Sequence, residues 1–162
     1  MNYRFIKNHP PFMKHLKRHL KDSKTAGSVF TAQEFKTARQ IIDYAYKQIE
    51  FKYRGEIMVR TIDFGKVVGL EALIAIKDIP DHLRHIKREM RVKKEQGKRA
   101  ASYSVLVAYG LKRTETSKIT IIAEPIYGNP KLHSFSSIYP GEYAPDFDDK
   151  EFWMNHAFIA KK

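Results

Sequence analysis

SKITIIAEPIYGNPKLHSFSSIYPGEY, residues 117–143, is the stretch on which the fold turns. Two runs rich in β-branched and aromatic residues, Ile119–Tyr127 and Lys131–Tyr139, flank Gly128-Asn129-Pro130, the pattern of two strands joined by a tight hairpin. Side chains alternate along a strand, so Lys131, His133, Phe135, Ser137 and Tyr139 are expected on one face, and Leu132, Ser134, Ser136 and Ile138 on the other. That first face would carry a cation, an imidazole, a hydroxyl and a phenol, the densest group of proton-moving side chains in any one segment. The run stops at Pro140-Gly141, where proline removes a ladder donor and glycine permits a turn.

The rest of the chain supplies the layer that such a hairpin needs. Pro10-Pro11 opens a helix through Phe12–Ser23, with Phe12, Leu16 and Leu20 on one side. His15 and His19 are four apart on it, a spacing open to a metal pair, but with no third ligand in reach they read as part of a solvated basic face. Thr31-Ala32-Gln33-Glu34 has the form of a capping box opening a helix to about Phe51, whose stripe is Phe35, Ala38, Ile42, Ala45 and Ile49. Glu56–Phe64 alternates as a strand. Lys66–Ile76 is open between strand and helix and reads as strand, being rich in β-branched residues with Gly69 inside it. Asp81 caps a basic helix over residues 81–96, and Ser102–Leu111 is an apolar strand. Asp148 and Asp149 cap a last helix holding Phe152, Trp153 and Phe158. The expected fold class is α+β: N-terminal helices packed on a four- to five-stranded antiparallel sheet, with a short C-terminal helix. At 162 residues the chain fits a single domain.

Composition narrows the chemistry. The net charge of +12 points to a polyanionic partner, because lysine and arginine on phosphates release condensed counterions. Residues 82–99 hold 8 Lys or Arg against 2 Glu, half of that excess. Arg84, Lys87, Arg88, Arg91, Lys94, Lys98 and Arg99 are therefore the expected nucleic-acid contacts. Residues 141–155 are the reverse, with five Asp or Glu against one Lys, a strip suited to pairing with the basic segment in cis. The absence of cysteine excludes disulfides, thiolate zinc sites and a thiol nucleophile. No run reaches the roughly 18 apolar residues that span a bilayer, and residues 1–12 lack the apolar core of a secretion signal. A soluble cytoplasmic protein with no membrane partner is expected. Phosphate-cradling glycine loops, H-E-x-x-H and G-x-S-x-G are all absent, so no cofactor and no metal are expected.

RNA cleavage fits these limits, since the 2′-OH attacks its own phosphodiester once a base takes its proton, an acid protonates the leaving oxygen and cations hold the phosphorane charge. His133 serves as base or acid, Lys131 or Arg60 as the phosphate cation, Ser137 and Tyr139 as donors, and Phe135 or Tyr143 as a stacking platform. N-terminal helices followed by a sheet whose late strand reads LHSFSSIYPG resemble the ribonuclease superfamily that groups barnase, EndoU, the tRNA-cleaving colicins and RelE, particularly its phage and polymorphic-toxin branches. That resemblance covers about Thr31–Tyr143. It implies a nuclease-like core at residues 31–143 between a helical extension (1–24) and an acidic, aromatic end (144–162), and metal-independent endoribonuclease activity on RNA such as tRNA. His133 and Ser137 match its pattern, with Ser136 the alternative if the register slips. The EndoU type uses two histidines, and His82 or His85 would have to supply the second. A nuclease active in its own cell is toxic, so an acidic immunity or antitoxin protein is an expected partner. The alternative is a non-enzymatic phage or plasmid protein that binds nucleic acid through the basic helix, and a third reading pairs the basic surface with an acidic protein.

Overall fold

The structure, a computed structural model, describes residues 3–20, 27–84, 86–93 and 101–160. In chain order the elements are β1 (Arg4–Ile6), α1 (Pro10–Lys17), β2 (Val29–Phe30), α2 (Ala38–Ile49), β3 (Met58–Asp63), β4 (Gly69–Glu71), β5 (Leu73–Ala75), β6 (Ile86–Lys93), β7 (Ala101–Tyr109), β8 (Thr114–Thr116), β9 (Lys118–Ile126), β10 (Asn129–Pro140), α3 (Lys150–Met154) and β11 (His156–Ala160). They form a mixed α and β structure with three sheets. The first sheet, ordered β1-β10-β9-β3, is built on the expected hairpin of β9 and β10. Its edge strand β1 runs parallel to β10, pairing Arg4–Ile6 with Leu132–Ser134, so the sheet is not wholly antiparallel. The second is ordered β5-β11-β7-β6 and the third β2-β4-β8.

α1 and α2 cover one face of the first sheet. Phe12 and Leu16 from α1, and Ile41, Ile42, Ala45 and Ile49 from α2, pack with Ile119, Ile121, Ala123, Phe135 and Ile138 of the hairpin. Removing this much apolar surface from water is the main stabilising term. α2 starts later than the sequence suggests. Thr37 and Gln40 form the capping box, while residues 33–35 make a 3-10 turn and Glu34 instead pairs with Lys66 at 2.6 Å. α1 also ends early, at Lys17, because its last turn tightens into i to i+3 bonds from His19 N–H to the Leu16 carbonyl and Leu20 N–H to that of Lys17.

The basic helix expected over residues 81–96 does not form. Residues 81–83 make a single 3-10 turn, and Ile86–Lys93 is strand β6, antiparallel to β7 from Ile86↔Ala108 to Lys93↔Ala101. Ile86, Met90 and Val92 also fit a period of two, and β7 offers as partner a strand that packs on both faces over residues 105–108. Val105 and Val107 pack with Trp153, and Ala108 packs with Ile79 and Ala157. Helical propensity at a sparse apolar stripe loses to that pairing. α3 is capped by Asp149, whose Oδ1 accepts from Phe152 N–H at 3.1 Å, but Phe158 belongs to β11 rather than to the helix.

Candidate functional site

The expected catalytic face of β10 is split by a bulge. Phe135 pairs with Ala123 but Ser137 pairs with Ile122, so β10 carries one extra residue at Ser136 and the alternation reverses beyond it. Before the bulge, His133 and Phe135 point toward the helical layer. After it Ile138 takes the core side, and Ser137 and Tyr139 line the opposite face.

His133 is consequently enclosed, with 3% of its surface exposed. Its Nε2–H donates to the Pro130 carbonyl at 3.0 Å, which leaves Nδ1 to accept from the Tyr53 hydroxyl at 2.5 Å. The Tyr3 ring lies 4.4 Å away between centroids. Arg60 shares the helix-side face of β3 with Met58 and Ile62, its charge reaching Tyr44. Lys131 is exposed beside the hairpin turn. The structure therefore does not gather His133, Arg60 and Lys131 with Ser137 and Tyr139. Among the expected nucleic-acid contacts, Arg84 is exposed and paired with Asp81 at 2.9 Å, Arg88 is exposed on β6, and Lys87 and Arg91 belong to the same strand. Lys94, Lys98, Arg99 and the alternative histidine His85 lie outside the described residues; His82 is exposed on the 3-10 turn.

Ser137 and Tyr139 instead meet two histidines that the sequence reading left in solvent. A cavity of about 670 Å³ lies on the back of the first sheet, against Leu73 of β5 and Phe158 of β11. His15 Nε2 stands 3.1 Å from Ser137 Oγ and 3.3 Å from His19 Nε2. His19 Nδ1–H donates to the Ser28 carbonyl at 2.7 Å, so its neutral ring presents a bare Nε2 to His15. One proton is then left for the space between the two Nε2 atoms. The pair is held from both ends, because the His19 carbonyl also accepts from Phe30 N–H at 2.8 Å. The i, i+4 spacing was the visible signal; what hid the site was that α1 lies over β10 with His15 beside, not opposite, the Phe12–Leu16 stripe.

Burial sets the protonation of this cluster. It lowers His15, helped by the Arg18 charge, and brings His19 down to about 4 against the opposing Ser28 hydrogen bond. Both imidazoles are neutral at pH 7. Tyr139 is pushed up to about 12 by burial and keeps its proton, with its oxygen accepting from Ala144 N–H at 3.0 Å. Glu71 is raised by burial as well, and its Oε1 accepts from Glu142 N–H at 2.7 Å. Gly141, at φ 118°, permits this approach: a Cβ there would stand 2.8 Å from the Glu71 carboxyl. Ile57 and Val59 add an apolar floor, 69% and 41% exposed. Glu71, Glu124, Asp146 and Glu142, the last paired with Lys118, also line the cavity, which among the described residues has no lysine or arginine in its lining.

Comparison with protein-family models, curated proteins and solved structures finds no match in any of the three. Resemblance to ribonucleases thus rests on the sequence pattern alone. Among the described residues no helix is long and apolar enough to cross a membrane.

Proposed function

We propose that the protein cleaves RNA by metal-independent transesterification in the cavity behind the first sheet, with the acid–base work done by His15 and His19 rather than by His133. The observation that carries this reading is the bonded set His15, His19 and Ser137 opening on a cavity large enough for a nucleotide. Two neutral imidazoles sharing one proton form a unit that takes a proton from the 2′-OH. Tyr139, protonated at working pH, and the Ser137 hydroxyl donate to the phosphate and to the leaving 5′-oxygen. The Arg18 charge reaches both histidines and supplies a cation. The overall charge of +12 brings the polyanion to the surface. An acidic protein that neutralises such an enzyme in its own cell belongs to the same proposal.

The test is incubation of purified protein with total RNA in EDTA. Discrete fragments ending in 2′,3′-cyclic phosphate, lost in His15→Ala, support the reading; intact RNA ends it. A second reading, nucleic-acid binding without cleavage, is favoured by β6, which places part of the most basic run on a two-stranded ribbon, a shape that fits a major groove. A steep fall of RNA affinity with salt and no cleavage in any buffer would select it.

A further inference from the structure

The structure assigns the His15–His19 pair a second ligand, and we propose that it is a zinc-class divalent cation that takes the place of the proton between the two Nε2 atoms, which moves to His15 Nδ1, and silences the site. This inference deepens the cleavage reading by naming the regulation of that site, while the binding step itself does not depend on cleavage.

Geometry carries it first. Zinc bonded to imidazole nitrogen at 2.0–2.1 Å in a tetrahedron sets its ligand atoms about 3.3–3.4 Å apart. The His15 and His19 Nε2 atoms are 3.3 Å apart, and Ser137 Oγ is 3.1 Å from the first. His19 is oriented from behind, as metal-ligating histidines are, because its Nδ1–H is committed to the Ser28 carbonyl. Electrostatics carries it second. Among the described residues four carboxylates and no lysine or arginine line the cavity, and although Lys118 pairs with Glu142 and burial raises Glu71, the lining supplies anionic oxygens rather than cations. No set of three His, Cys, Asp or Glu in metal-binding range exists among the described residues, so beyond two imidazoles the ion takes the serine oxygen and water. Structural zinc is closed by four protein ligands, whereas this site offers two imidazoles and a hydroxyl, so the ion is within reach of a chelator.

On binding, the proton between the rings moves to His15 Nδ1, both imidazoles stay neutral, and both Nε2 lone pairs end in metal bonds. The 2′-OH then has no imidazole acceptor. The expected result is that EDTA-stripped, desalted protein titrated with zinc chloride in a calorimeter, without RNA, binds one ion. His15→Ala and His19→Ala should each weaken it by at least about 10- to 100-fold, the cost of disturbing even an outer-shell partner of a metal ligand. His82→Ala should change nothing. Far-UV circular dichroism confirms that each variant is folded, and His15→Gln, which keeps the ring's volume more closely, repeats the test. No zinc binding, or binding that survives both histidine substitutions, overturns the site. In the presence of RNA, cleavage should fall with zinc and return with EDTA; acceleration by zinc overturns the inhibitory role. RNA left intact by metal-free protein ends the cleavage proposal alone, because the calorimetric result stands independently.

Discussion

The two halves of β10 carry similar side chains to opposite ends. His133 and Phe135 lie under β1 and the helices, both ring nitrogens of the histidine engaged inside the protein, whereas Ser137 and Tyr139, just past the bulge, face an open cavity and meet His15. One extra residue at Ser136 makes the difference, since a shift of one in a period of two moves every later side chain to the other face. A histidine in a strand thus tells little about function until the register on both sides of it is known.

The largest expected effect falls on the open half. His15→Ala should lower kcat/KM for RNA cleavage about 100- to 10,000-fold, the usual worth of a positioned acid–base group. Its urea midpoint should barely move; a collapse of stability instead would mean that the pair is structural and the comparison fails. Next comes the closed half. His133→Ala removes a buried ring and strands the Tyr53 hydroxyl, costing about 2–4 kcal/mol in urea denaturation while cleavage at a temperature where the variant is folded stays near wild type. Equal loss of cleavage in folded His133→Ala would return catalysis to the buried histidine.

A smaller effect is expected from pH, measured in EDTA. His19 is held near 4 in the folded protein against about 6.5 when exposed, so the unfolded chain takes the proton first. Its contribution to stability is full above about pH 6.5 and is lost as pH falls toward about 4. His15 is shifted in the same direction. Glu71, raised by burial, acts in the other sense, its contribution being present at low pH and lost as pH rises through its folded value. Subtracting the urea midpoints of His19→Gln from those of wild type at each pH isolates the histidine. A flat difference across that window would show that His19 is not buried as described. The smallest effect is at Lys131. Being exposed, Lys131→Ala should change stability by less than about 0.5 kcal/mol, and cleavage only slightly.

The sequence by itself determined the β9–β10 hairpin, the helical layer, the strands at 58–63 and 101–109 and the absence of thiol chemistry, because periodicity, glycine and proline act over a few residues, whereas the single strand read over residues 66–76 is split into β4 and β5 in different sheets. The His15–His19 spacing was legible as an oddity without a place. Only the tertiary structure decided three matters. The bulge at Ser136 depends on how β10 meets β9, the strand at Ile86–Lys93 depends on β7 as partner, and the meeting of His15 with Ser137 joins residues 122 apart in the chain. Local pattern fixes which way a side chain points relative to its own element; which neighbour it meets is set by long-range pairing and burial, and that neighbour decides whether an imidazole is sealed or available.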